Sequence, residues 1–125
     1  MKKARDAVLD ALARASRGLR YTSETDAGFE PFAWKDGDAL TEGRLLHLAG
    51  EPAGTAVEPT SLDDFFRAVP AEDRAAFQKL AGALRAQLSG VQVYKVGDEA
   101  ERRVYLVGKS RDGRWAGLRT TVVET

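Results

Sequence analysis

The chain has no cysteine and a single histidine among its 125 residues. Without cysteine there is no disulfide and no thiolate metal site, so the chain is suited to folding in a reducing cytosol. An excess of charge of one sign is missing too. Lys+Arg and Asp+Glu each number 19, which leaves a formal net charge of zero. A general nucleic-acid binder needs a basic excess to neutralise phosphates, so that class is disfavoured and only a local patch is left open. No stretch approaches the roughly 18 apolar residues of a membrane span. The start, Met1-Lys2-Lys3-Ala4-Arg5-Asp6, opens like an export signal. Asp6, Asp10 and Arg14 then interrupt any apolar stretch, and the segment reads as an amphipathic helix with no export signal. A cytoplasmic protein is the expectation. Enzyme motifs are missing as well: there is no phosphate-binding glycine loop, no GxSxG elbow and no HExxH.

What is present suits one globular domain over residues 1–125. The hydrophobic fraction of 43% suits a core and the charged fraction of 30% a solvated surface. A chain this long buries roughly two-thirds of its unfolded surface on folding.

Periodicity places the elements. Ala4, Val8, Leu12, Ala15 and Leu19 recur at helical spacing and Gly18 is a stop, which predicts a helix over 3–17. Phe29 to Trp34 reads as a strand, and Pro31 places it near a sheet edge. In 35–60 the glycines and prolines predict loop, with short strands at Leu45–Leu48 and Thr55–Val57. Thr60 or Ser61 caps a helix through Leu62, Phe65, Phe66 and Val69, with Asp63 and Asp64 in its first turn, and Pro70 breaks it. A longer helix is predicted from Ala71 to Ser89, with Phe77, Leu80, Ala81, Leu84 and Leu88 as its stripe and Gly90 as its end. Val91–Val96, Arg103–Gly108 and Arg114–Val123 read as a meander of three strands, with a turn at Arg111-Asp112-Gly113. These strands are apolar on both faces and need cover on both. The fold class expected is α+β, a three-layer α/β/α sandwich around a largely antiparallel sheet.

Few residues propose chemistry by themselves. His47 lies in the run Leu45-Leu46-His47-Leu48 without evident partners and reads as a solvent-facing strand residue, not as a base or ligand. The acidic pairs Asp36/Asp38, Asp63/Asp64, Glu72/Asp73 and Asp98/Glu99 read as turn and helix-dipole chemistry. Trp34 and Trp115 read equally as interface anchors or as half-buried sheet residues. The end of the chain differs. Thr125 carries an α-carboxylate beside a hydroxyl, both hard oxygen donors of the kind Mg²⁺ accepts, and Glu124 adds another carboxylate. Most chain ends simply fray, and physics alone would leave this one without a role.

A series of blocks along the chain changes that balance. They are Gly18-Leu19, Ser23-Glu24, Phe29-Glu30-Pro31-Phe32 with Trp34, and Asp63-Asp64-Phe65-Phe66. Then come Phe77-Gln78-Lys79-Leu80, Gln92-Val93-Tyr94-Lys95-Val96-Gly97, Val104-Tyr105-Leu106-Val107-Gly108 and finally Ala116-Gly117-Leu118-Arg119-Thr120-Thr121-Val122-Val123-Glu124-Thr125. In order and spacing the chain resembles the nuclease A inhibitor-like family throughout its length.

The resemblance implies an α/β/α sandwich. It implies a protein that binds a sugar-non-specific DNA/RNA endonuclease of the ββα-metal class, one to one, and blocks its active site. In the family the C-terminal threonine reaches the nuclease's catalytic Mg²⁺, and an early glutamate is a principal polar contact. Those positions are Thr125 and Glu24 here. The surface implied for the nuclease is Glu24, Thr125, Glu124, Thr121 and Trp34, with Thr125 a metal ligand only in the complex. No cofactor of its own is implied, the divalent ion belonging to the partner; nor is a nucleic-acid or membrane partner. The free protein is expected to be a monomer and not an enzyme. Val122 and Val123 must anchor the last strand if Thr125 is to project.

One departure stands out. Arg67 to Ala76 replaces a longer, more acidic insertion in the family's type member, so contacts made there do not carry over. That shortening motivates a second reading, a regulatory interaction domain with a non-nuclease partner. A third, an enzyme using clustered carboxylates, rests on the acidic pairs alone.

Overall fold

The computed structural model describes residues 7–21, 27–35, 39–98 and 100–123. In chain order the elements are α1 (Ala7–Ser16), β1 (Arg20–Tyr21), β2 (Ala27–Gly28), β3 (Glu30–Trp34), α2 (Glu42–Ala49), β4 (Val57–Thr60) and α3 (Leu62–Arg67). A 3₁₀ turn (Ala71–Asp73), α4 (Arg74–Gln87), β5 (Ser89–Val96), β6 (Glu101–Lys109) and β7 (Trp115–Val123) follow.

Five strands form one antiparallel sheet in the order β3-β7-β6-β5-β4. β5, β6 and β7 are the expected meander. Both edge strands hold a proline, Pro31 in β3 and Pro59 in β4. Proline donates no ladder hydrogen bond and is tolerated at an edge, so the two residues mark where the sheet stops growing.

The two-faced apolar pattern is satisfied by two cores. On one face Val93, Val104, Leu106 and Leu118 pack with Leu12 of α1, Phe65 and Phe66 of α3 and Phe77, Leu80 and Leu84 of α4. On the other, Phe32, Val96, Tyr105 and Val107 pack with Leu45 and Leu46 of α2. Alternate residues of β6 serve the two cores, since successive strand side chains point to opposite faces. The architecture is the expected α+β one, with helices on both sides of the sheet.

Several local expectations are corrected. Leu45–Leu48 is not a strand but part of α2. Thr41 caps that helix by accepting the Arg44 N–H at 3.1 Å. Gly50 closes it in the left-handed region with φ 75°. A four-residue apolar run fits either period, and here the flanking cap and glycine decide it. The long helix ends at Gln87, because Leu88 is already extended at φ −131° and ψ 150°. Gly90 does not end it. With φ 60° it lies inside β5, where the register shifts between Ser89 and Gln92. An αL glycine serves a strand irregularity as readily as a helix end. Ala71–Asp73 is a 3₁₀ turn ahead of α4, and the short strand falls at Val57–Thr60, later than Thr55–Val57.

Ser61, not Thr60, caps α3, accepting the Asp64 N–H at 3.0 Å. No helix among the described residues is long and apolar enough to cross a membrane.

Candidate functional site

The corner where β7 ends is held by two tethers. Thr120 points toward the α1/α4 core, and its hydroxyl donates to the Gly28 carbonyl at 2.9 Å. Gly28 and Ala27 pair with Arg20 and Tyr21 in a small antiparallel ladder. Tyr21 is fixed in turn. Its ring stacks on Phe65 at 4.2 Å between centroids, and its hydroxyl donates to the Phe65 carbonyl at 2.8 Å. Tyr21 and Ala27 flank the segment 22–26, so one flank is tied to α3 and the other to the last strand. Glu24 belongs to that segment. Glu24, Glu124 and Thr125 lie outside the described residues, and the structure bears on them through their neighbours.

Those neighbours are firmly set. Val122 is buried in the larger core. Val123 pairs with Glu101, and Thr121 pairs with Arg103 across the β6–β7 ladder. Directly opposed residues share a sheet face, so Thr121 and Arg103 both lie on the α2 side. Thr121 is half-buried there.

Arg103 anchors a charged network on the same face. Its Nε and Nη2 donate to the two carboxylate oxygens of Glu51 at 2.9 and 2.8 Å. The Tyr105 hydroxyl donates to one of those oxygens at 3.1 Å. The Glu51 side chain is only 11% exposed. The Arg103 guanidinium, offset in part by burial, holds the Glu51 carboxyl below its ordinary value. The same bond pushes Arg103 up. Burial first, then the Glu51 charge, pushes the Tyr105 phenol up to about 12. The network is therefore a carboxylate, a guanidinium and a neutral phenol at any pH near neutrality.

Trp34 sits elsewhere. It pairs with Trp115 at the opposite end of the β3–β7 ladder. Thr121 lies six residues further along β7, roughly 20 Å at the usual rise of a strand. Trp34 is half-buried, with its ring 4.5 Å from Phe32 and 5.9 Å from Tyr105 between centroids. This packing is that of a half-buried sheet residue and does not bear on whether Trp34 also contacts a partner. The structure does not bring Trp34 and Thr121 together.

The acidic pairs are dispersed. Asp63 pairs with Arg85 at 3.1 Å and Asp64 with Arg67 at 2.9 Å. One Asp98 oxygen accepts the backbone N–H groups of Ala100 and Glu101. Asp36, Asp38 and Glu99 lie outside the described residues. Among the described residues no group of three or more His, Cys, Asp or Glu is placed to hold a metal ion. His47 is exposed to solvent as expected, though on a helix.

Sequence reasoning missed Glu51, Arg103 and Tyr105 as a unit. Glu51 and Arg103 are 52 residues apart. The only legible signal was the two-residue spacing of Arg103 and Tyr105, which puts both on one strand face.

A family model described as nuclease A inhibitor-like protein matches residues 6–125. No match to a curated protein is found.

Proposed function

Because the chain belongs to the nuclease A inhibitor-like family, we propose that it inhibits a sugar-non-specific ββα-metal endonuclease by placing Thr125 at the catalytic metal. The family match runs to the last residue. The α-carboxylate and hydroxyl of Thr125 are oxygen donors that substitute for a phosphate oxygen on a divalent ion of the nuclease. Glu24 pairs with a basic group of the enzyme that would otherwise face phosphate. The complex is one to one, formed by a monomer in the cytoplasm, and the protein brings no cofactor or metal of its own.

The observation that carries this reading is the Thr120–Gly28 hydrogen bond of 2.9 Å. It joins the last strand to the flank of the segment that contains Glu24. A plug and its main polar contact need to approach one enzyme site together, and this bond supports that. The buried Val122 supports it further, because a plug works only if its strand does not fray.

The test is DNA cleavage by a ββα-metal nuclease with Mg²⁺ and increasing amounts of the protein. Stoichiometric loss of cleavage is expected, and full cleavage at a large excess over every such nuclease tried would contradict it. A second reading, a regulatory domain with a non-nuclease partner, draws support from one feature. After α3 the chain passes through the 3₁₀ turn Ala71–Asp73 directly into α4, without the longer acidic insertion of the family's type member. Affinity capture that recovers only non-nuclease proteins would favour it.

A further inference from the structure

We propose that Glu51 is a positioning residue for the chain end: through Arg103 it fixes the end of the β6–β7 ladder from which the last residues leave. The proposal rests on the reading that the chain end is the inhibitory element.

The linkage begins at the end of α2. Gly50 adopts φ 75°, and its N–H reaches the His47 carbonyl at 3.2 Å. The next N–H, that of Glu51, reaches back to the Leu46 carbonyl at 2.9 Å. These two bonds form a Schellman closure, which fixes the residue after the left-handed one. Leu46 is itself buried in the core beneath α2. Glu51 therefore leaves the helix at a set position relative to the sheet.

Its carboxylate then meets a guanidinium in a two-pronged arrangement. Two parallel N–H···O bonds fix orientation as well as distance, which a single bond does not. The backbone closes in from the other side. A Cβ on Gly97 would lie 3.1 and 3.2 Å from Nη1 and Nη2 of Arg103. Gly97, with φ 120°, also donates its N–H to the Ala56 carbonyl at 3.0 Å. The exit of α2, the end of β5 and the strand β6 thus converge on one side chain.

That side chain is opposite Thr121. β3 pairs with β7 only as far as Arg119, and the ladder that carries Thr121, Val122 and Val123 is the one with β6. Holding Arg103 therefore holds the last turn of pleat before the chain end.

Stability alone is a poor account of this network. The neighbouring core on this face is apolar, with Phe32, Val96 and Val107. The Arg103 side chain is 36% exposed, and an ion pair open to solvent on one side adds little stability, whereas its two-pronged geometry fixes orientation.

The test uses the full chain with Glu51→Gln, Arg103→Lys and Tyr105→Phe. Amide hydrogen exchange is read in the free protein, residue by residue along β7, beside inhibition of the nuclease. Glu51→Gln keeps a cooperative fold and speeds exchange at Thr121 to Val123 by about tenfold relative to Leu118. The inhibitor concentration for half-maximal effect rises by about tenfold, because a displaced plug loses its alignment. Arg103→Lys keeps the charge but not the fork, and gives the same local change. If either variant fails to fold, Tyr105→Phe removes one hydrogen bond only and gives a smaller change, about threefold, at the same residues. Exchange that stays unchanged at Thr121 to Val123, or that rises equally at Leu118, overturns the proposal. Exchange needs no nuclease, so a wild-type protein that inhibits nothing would defeat the inhibitor reading while leaving this result to stand by itself.

Discussion

Thr120 donates its hydroxyl proton to the carbonyl of Gly28, 92 residues earlier in the chain, at 2.9 Å. The bond crosses from the last strand to the flank of the segment that contains Glu24. Thr120→Val keeps the shape and removes the donor, leaving the Gly28 carbonyl short of a partner. Gly28 is exposed, so water replaces the lost donor, and a loss of about 0.5–1.5 kcal/mol is expected. Chemical denaturation measures it. Binding to the nuclease should weaken by more than the stability loss explains, because the plug and Glu24 lose their common anchor.

Glu51 makes stability fall in acid. Its carboxyl sits below the ordinary glutamate value when folded. The unfolded chain therefore takes up that proton at a higher pH than the folded protein does. The contribution is complete above the ordinary carboxylate range and is lost as pH falls through the lowered folded value. Glu51→Gln removes this component. Melting temperatures from pH 7 down to pH 3 should fall less steeply in the variant than in the wild type.

Tyr105 acts at the other limit. Its folded value is pushed up to about 12 from 10.0, by burial first and then by Glu51. A raised phenol stabilises the fold below the unfolded value and loses that contribution as pH rises toward 12. Burial, and then the Glu42 charge, also raises Tyr94. Ultraviolet titration of phenolate should show a latest step toward 12, and Tyr105→Phe should remove that step. Loss of the late step on mutating Tyr94 instead would contradict the assignment.

Two glycines make a paired control on packing. A Cβ on Gly117 would run into the carbonyl oxygen of Leu106 on the neighbouring strand. Gly117→Ala should therefore cost about 3 kcal/mol or more, since overpacking a backbone contact leaves no flexible atom to yield. Gly82 lies in α4 with nothing within 4 Å of an added Cβ. Gly82→Ala should stabilise by about 0.5–1 kcal/mol through helix propensity. Thermal melts of the two variants check both signs.

Much of the fold was legible from particular residues. Val93 and Val104 against Tyr94 and Tyr105 announced a sheet covered on both faces, and Pro31 announced an edge. The helix α2 was not legible, because its apolar run is too short to separate the helical from the extended period. The information lay in Thr41 and Gly50 at its ends. The pairing of Glu51 with Arg103 was not legible, because a contact across 52 residues leaves no periodic trace. Thr121 read as part of the last strand and sits there, half-buried. The position of Trp34 at the far end of β3 follows from strand register, which the sequence specifies only through which face each residue buries.

The central claim is that Thr125 itself blocks the nuclease. The most direct measurement compares DNA cleavage by a ββα-metal nuclease in the presence of three forms of the protein. They are the wild type, a form lacking Thr125, and a form extended by a bulky tag after Thr125, each shown by thermal melting to be folded. Inhibition by the wild type alone, with both altered ends weakened by about a hundredfold or more, is the expected result. Equal inhibition by all three forms would contradict the account.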